Sequence, residues 1–294
     1  MNPMTTVEKR GLQSICQDSG KIVIVAADQR NSMKAVVQDT PGDTSDITSA
    51  QLADIKADLV THLANHAPAI LLDPEVALPQ IVDNGVLGRN TALVVGLDAS
   101  GFAVEDGVRY TQYVPGMSVE KARRMGADVI KMLYYTRPDL QPAGSRVWQE
   151  IHQLVAECEQ EQILLIVELL TYKLETETAE EYEAKFADLV IDGARLAVDA
   201  GAKLLKLQYP GSAEACRAVT DASRGVPWAV LSAGVDHETF IQQVAIAVSE
   251  GCAGAMAGRA IWKDSLSFDE KTREELLTTR ALPRLKELSR AVDG

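Results

Sequence analysis

Two lysines interrupt apolar runs that would otherwise read as buried strands. Lys206 lies in Leu204-Leu205-Lys206-Leu207-Gln208, and Lys131 lies in Val129-Ile130-Lys131-Met132-Leu133. Lysine is rarely buried without a partner, so each must face a polar cavity or make a buried ion pair. Desolvation and a nearby cation both favour the neutral amine, which can attack a carbonyl carbon. Glu168 adds a third charge inside Leu164-Leu165-Ile166-Val167-Glu168-Leu169-Leu170. By strand alternation it shares a face with Leu164, Ile166 and Leu170. A carboxyl group in that setting can relay protons. A structural ion pair would use the same residues, and for either lysine alone the two readings weigh equally. The set of three favours chemistry.

An anion site is expected beside them. Ser232-Ala233-Gly234 and Gly258-Arg259-Ala260 end two later apolar runs with small residues whose backbone N–H groups can approach a ligand. Arg259 can add a bidentate cation. The alternative is that these glycines serve only tight turns. Overall the 294 residues carry 42 acidic and 29 basic side chains, a net charge of −13. Such a chain is a poor general binder of nucleic acid or anionic membrane. Positive charge for an anionic ligand must therefore be concentrated at one place.

Metal chemistry is not expected. His62 and His66 are spaced four apart in a candidate helix, but a polar helix face explains them better. The cysteines Cys16, Cys158, Cys216 and Cys252 form no paired motif, which fits a reduced, cytoplasmic protein. No apolar run is long enough for a transmembrane helix, and residues 1–20 lack a signal-peptide core.

The elements that must position these residues alternate regularly. Candidate strands cover residues 21–28, 69–73, 92–98, 128–135, 163–170, 203–209, 228–234 and 254–258. Their centres recur about every 33 residues, one βαβ repeat. Helical periodicity appears over 49–66, 147–160, 179–200, 238–249 and 268–292, and 38–49 reads as a loop. Gly126, Gly201 and Gly251 stand where helices end. Eight such strands predict a single (β/α)8 barrel over 1–294, with 1–20 as an N-terminal extension and 268–294 as a C-terminal helix. The strand ends then define the active face. No GxGxxG follows the first strand and no Walker A motif occurs.

In chain order, the motifs VAADQR, ILLDPEVALP, VIKMLYY, IVELL, LLKLQYP, LSAGV and AGRAIW resemble the class I tagatose 1,6-bisphosphate aldolase family. That family includes the sulfofructose-phosphate aldolases. The resemblance implies a cofactor-free, metal-independent Schiff-base enzyme that cleaves a ketose 1-phosphate to dihydroxyacetone phosphate and an aldehyde. It implies Lys206 as the Schiff-base lysine, Glu168 as the proton relay and Lys131 as the second lysine. It also implies that Asp28 and Gln29 contact substrate, and that Ser232, Gly234, Gly258 and Arg259 hold the phosphate. Lys131 would keep Lys206 partly neutral. A homo-oligomer is expected. The chain departs from the family in having Gln208 where an acidic residue is common, and a short segment over 211–224. A 6-deoxy-6-sulfofructose 1-phosphate substrate is the alternative. A deoxyribose-phosphate aldolase-like enzyme shares the lysine but not DQR or ILLDPE, and a metabolite-binding regulatory barrel would not need all three charged residues.

Overall fold

Along each candidate strand, every second residue is aliphatic or small at first and polar or charged at the end. Ala92, Val94, Gly96 and Asp98 form one such row, and Leu164, Ile166 and Glu168 another. A strand presents alternate residues to one face. A ring of these rows gives an apolar plug at one end of a barrel and a polar cavity at the other.

The computed structural model describes residues 3–37 and 46–294. Among these residues ten strands form: β1 (Ile22–Ala27), β2 (Ala69–Leu72), β3 (Ala92–Gly96), β4 (Asp98–Glu105), β5 (Val108–Tyr113), β6 (Val129–Tyr135), β7 (Leu164–Leu170), β8 (Leu205–Gln208), β9 (Trp228–Leu231) and β10 (Gly254–Ala257). Eight are parallel and close in the order β1-β10-β9-β8-β7-β6-β3-β2. The barrel is as expected. The antiparallel β4–β5 pair was not anticipated. It grows from the end of β3 over the active face, and its alternation is masked by Gly101, Asp106 and Gly107.

The intervening helices bury one face on the barrel. The expected helix over 147–160 is Arg146–Gln160, that over 179–200 is Ala179–Asp199, and that over 238–249 is His237–Ser249. Gly126, Gly201 and Gly251 have φ of 94°, 101° and 97°, the left-handed turn that ends a helix without a Cβ clash. A helix at Ala213–Ala222 fills the segment read as a short connection.

Two expected helices are divided. The first, over 49–66, is Ser49–His62 followed by a 3-10 turn at Ala64–His66, because buried Leu63 leaves helical geometry. His62 and His66 therefore do not share one continuous helix. The last, over 268–294, is Glu270–Leu276, a π-helical turn at Leu277–Ala281 and Leu282–Asp293. Pro283 lacks the N–H that would continue the regular ladder there. Of the loop expected over 38–49, residues 38–45 lie outside the described residues. No described helix is long and apolar enough to cross a membrane.

The expected N-terminal extension has a definite job. Its helix Thr6–Ser14 starts with a capping box between Thr5 and Glu8. Gly11 lets it lie against Leu164 and Val129, with the built Cβ position 3.3 Å and 3.4 Å from them. Lys203, just before β8, donates to both Glu8 oxygens at 2.8 Å and 2.9 Å and lies 2.7 Å from Glu159. Met4, Leu12 and Ile15 join the apolar rows of the barrel interior. The N-terminal end is closed.

Candidate active site

The polar end of the barrel holds a cavity of about 480 Å³. Its central wall comes from three adjacent strands, each presenting alternate residues: Lys131, Leu133 and Tyr135 from β6, Glu168 and Leu170 from β7, Lys206 and Gln208 from β8. In the register Glu168 pairs with Lys206 across β7 and β8. The Lys206 ammonium donates to Glu168 Oε2 at 2.9 Å, and Lys131 Nζ lies 2.9 Å from the same oxygen. All three residues are buried.

Lys131 has two further partners. It donates to Asp28 Oδ2 at 2.8 Å and to the two oxygens of Asp98 at 3.0 Å and 3.1 Å. Burial opposes its charge, but Asp28, Asp98 and Glu168 outweigh that and hold its ammonium well above the ordinary lysine range. Burial likewise opposes ionisation of Asp28, but Lys131 and Lys206 overcome it and keep the carboxyl ionised well below its usual range. Asp98 goes the other way. Burial, with Asp28 and Glu168 nearby, raises its proton affinity despite Lys131. The charge of Lys131 faces three carboxylates and gathers Asp28, Asp98 and Glu168 beside Lys206.

The DQR and DPE motifs scaffold this cluster. Arg30 Nη2 donates to the Asp98 carbonyl at 2.8 Å, and its Nε to Ser100 Oγ at 3.0 Å. Its Nη1 lies 2.9 Å from Glu75 and 3.9 Å from Asp73. Asp73 Oδ1 also accepts the N–H groups of Glu75 and Val76 at 3.0 Å and 2.7 Å. Behind it, fully buried Lys56 reaches in from Ser49–His62 to pair with Asp73 Oδ2. Burial pulls the Lys56 ammonium below its usual range, with Asp73 opposing.

Across the cavity stand the ends of β9 and β10. Ala233 and Gly234 both have left-handed backbone, with φ of 47° and 85°. Gly258 N–H faces Ser232 Oγ at 3.4 Å. Trp262 ties the segment after β10 to the Ala26 carbonyl at 3.0 Å. Arg259 lies over Gly234, and among the described residues no carboxylate pairs with it. Gly258 leaves room for Gln29, whose Nε2 is 3.2 Å from the built Cβ position. Asp28 Oδ1 and Gln29 Oε1 are buried acceptors that make no hydrogen bond among the described residues.

All nine residues singled out from the sequence line this one cavity: Lys206, Glu168, Lys131, Asp28, Gln29, Ser232, Gly234, Gly258 and Arg259. Asp98, the end of the candidate strand over 92–98, was given no site role, and Tyr135 was missed. The alternation from Ala92 and from Lys131 would have found both. Among the described residues no group of three or more His, Cys, Asp or Glu side chains could hold a metal ion.

The sequence pattern of the family described as DeoC/LacD family aldolase matches residues 22–264. Tagatose 1,6-diphosphate aldolase 1 of Streptococcus mutans serotype c is 25% identical, the match covering 98% of this chain and 96% of that protein. The tagatose 1,6-diphosphate aldolase of Lactococcus lactis subsp. lactis is 24% identical over 98% and 96%. Among solved structures, an archaeal fructose 1,6-bisphosphate aldolase superposes with a TM-score of 0.64 at 18% identity, covering 97% of this chain and 98% of that one. A Schiff-base-forming fructose-1,6-bisphosphate aldolase gives 0.62 at 17% identity over 92% and 97%.

Proposed function

The chain belongs to the DeoC/LacD family of aldolases, and from that premise we propose that it is a class I enzyme cleaving a ketose 1-phosphate through an imine on Lys206. The observation that carries the reading is the shared oxygen of Glu168, which receives Lys206 and faces Lys131 at 2.9 Å each. A lysine nucleophile needs a base within hydrogen-bond reach, and that base needs a group to orient it. Both conditions are met inside one buried wall.

Lys206 Nζ passes a proton to Glu168 and its lone pair attacks the C2 carbonyl. Glu168 then protonates the carbinolamine hydroxyl, water leaves, and a protonated imine remains. The imine takes up the electron pair of the C3–C4 bond as the C4 hydroxyl passes its proton to the again ionised Glu168 and the aldehyde departs. Protonation of the enamine at C3 and hydrolysis release dihydroxyacetone phosphate and regenerate the lysine. Lys131 stays charged throughout and stabilises oxygen atoms that gain negative charge. The free acceptors of Asp28 and Gln29 suit sugar hydroxyl donors. Ser232, Gly234, Gly258 and Arg259 suit the C1 phosphate, at the strand ends where such barrels bind phosphate. Every step uses groups of the chain and substrate, so no metal ion is required.

Borohydride added with dihydroxyacetone phosphate should reduce the imine to a stable adduct that mass spectrometry locates on Lys206. An adduct on another residue, or none, would sink the assignment.

A further inference from the structure

The central wall of the cavity is built in rows. Leu133 pairs with Glu168 and Glu168 with Lys206, which makes one row across β6, β7 and β8. Two residues further along each strand, on the same face, stand Tyr135, Leu170 and Gln208. All six line the cavity. Glu168 and Lys206 are buried, whereas Tyr135, Leu170 and Gln208 are partly exposed, so theirs is the row nearer the mouth. It carries no charged side chain. A sugar held at Lys206 meets the charged row with its reacting carbons and the neutral row with the atoms beyond them.

Gln208 has a fixed direction in that outer row. The β7–β8 ladder ends at the pair Leu169 and Leu207. One residue on, the Gln208 side chain takes over, its Oε1 accepting the Thr171 N–H at 2.8 Å. A backbone N–H only donates, so the amide oxygen must be the atom that faces it. The Nε2 end is left for the cavity, and among the described residues it makes no hydrogen bond. Other polar atoms there are differently disposed. Asp28 Oδ1 and Gln29 Oε1 are free acceptors. Lys131 turns its N–H groups to three carboxylates, and Lys206 gives up its own donors as the imine forms. The Tyr135 hydroxyl can donate or accept, but the Gln208 nitrogen can only donate.

Resting on the ketose 1-phosphate reading above, we propose that Gln208 is a catalytic residue for the aldehyde half of the substrate, its Nε2 donating to the C4 oxygen. That oxygen begins as a hydroxyl, which can pass its proton to Glu168 while a lone pair accepts from Gln208. When the C3–C4 bond breaks it becomes a carbonyl oxygen, which can only accept, and the donor is in place throughout the change. In the reverse direction the same N–H polarises the incoming aldehyde for attack by the enamine. A carboxylate at this position would offer that oxygen nothing but acceptors.

Gln208→Glu keeps the length and the acceptor for Thr171 and exchanges the cavity donor for an acceptor. Gln208→Met keeps the length alone. Two reactions separate the halves of the chemistry. Imine formation with dihydroxyacetone phosphate, trapped by borohydride, involves no C4. Cleavage of tagatose 1,6-bisphosphate or of 6-deoxy-6-sulfofructose 1-phosphate, whichever the unaltered protein cleaves faster, does involve it. In both variants trapping should proceed at the unaltered rate while kcat for cleavage falls roughly 10²-fold. The deficit of Gln208→Glu should narrow as pH falls toward about 4.3, where a glutamate carboxyl ordinarily takes up a proton and can donate again. That of Gln208→Met should not. Unchanged cleavage in the variants would overturn the proposal. So would a Gln208→Glu deficit that fails to narrow in acid, or equal losses of trapping and cleavage in both variants, which mark a structural role. No imine in the unaltered protein, or cleavage of neither sugar, would overturn the ketose 1-phosphate reading and the proposal with it. An intact imine with cleavage untouched by either substitution overturns the proposal alone.

Discussion

Arg259 covers Gly234 so closely that a methyl group fits only if the guanidinium gives way. A Cβ on Gly234 would lie 3.1 Å from both Cζ and Nη2 of the guanidinium, and φ at this glycine is 85°. Gly234→Ala therefore strains the backbone and pushes the guanidinium back by a few tenths of an ångström. We expect a loss of about 1 kcal/mol in stability and about a tenfold weaker affinity for inorganic phosphate. Isothermal titration and a thermal melt measure both. Unchanged phosphate affinity would remove this pair from the anion site.

Glu168→Gln keeps the shape of the wall and removes the proton acceptor. Imine formation with dihydroxyacetone phosphate, followed by quenching with borohydride at timed intervals, should slow by roughly 10²–10⁴-fold. A rate equal to that of the unaltered protein would assign the proton transfers to another group.

The pH response of the cluster follows from the signs of the shifts. Lys131 binds its proton more tightly in the folded chain than its ordinary value of 10.5 implies. Its stabilising contribution is complete below that value and is lost only as pH rises through the still higher folded one. Asp28 is lowered from 3.8, so its contribution is present above 3.8 and lost as pH falls further. Neither group titrates between about pH 5 and 9. Lys131→Met leaves Asp28, Asp98 and Glu168 facing one another. The variant should lose roughly 3–5 kcal/mol near neutral pH, and less near pH 4.5, where protonation relieves the repulsion. Denaturant titrations at the two pH values test this. A penalty that does not shrink in acid would mean that the charge cluster is not its source.

Lys56 and Asp73 form a buried pair behind the site. Removing one charge strands the other, so Lys56→Met should cost about 3–5 kcal/mol. Adding Asp73→Asn should recover part of that loss, because the asparagine oxygen can still accept from Glu75 and Val76. Equilibrium unfolding of the single and double variants decides the matter. A double variant no more stable than Lys56→Met alone would show that the ion pair is not the coupling.

The barrel and the wall of charges were legible for one physical reason. An ionisable residue inside an apolar strand has few places to go, and the alternation of the strand says which face it takes. Lys131, Glu168 and Lys206 announced themselves in this way. Asp98 was visible as the end of its strand but not as a partner of Lys131, because that pairing depends on β3 and β6 lying side by side although more than thirty residues separate them in the chain. The direction of the Gln208 amide was hidden for a similar reason, since it is set by the Thr171 N–H on the neighbouring strand. The service of Arg30 and Lys56 to the site also lies in distant pairings, with Asp73 the common point.

Among the described residues the helix Thr6–Ser14 stoppers the barrel from below, and the cavity opens at the other end. With the three-carbon half tethered to Lys206, as proposed, the aldehyde is the product free to go. Departure is thus ordered by plumbing as well as by bonding: aldehyde first, dihydroxyacetone phosphate last, and the next sugar waiting at the same threshold.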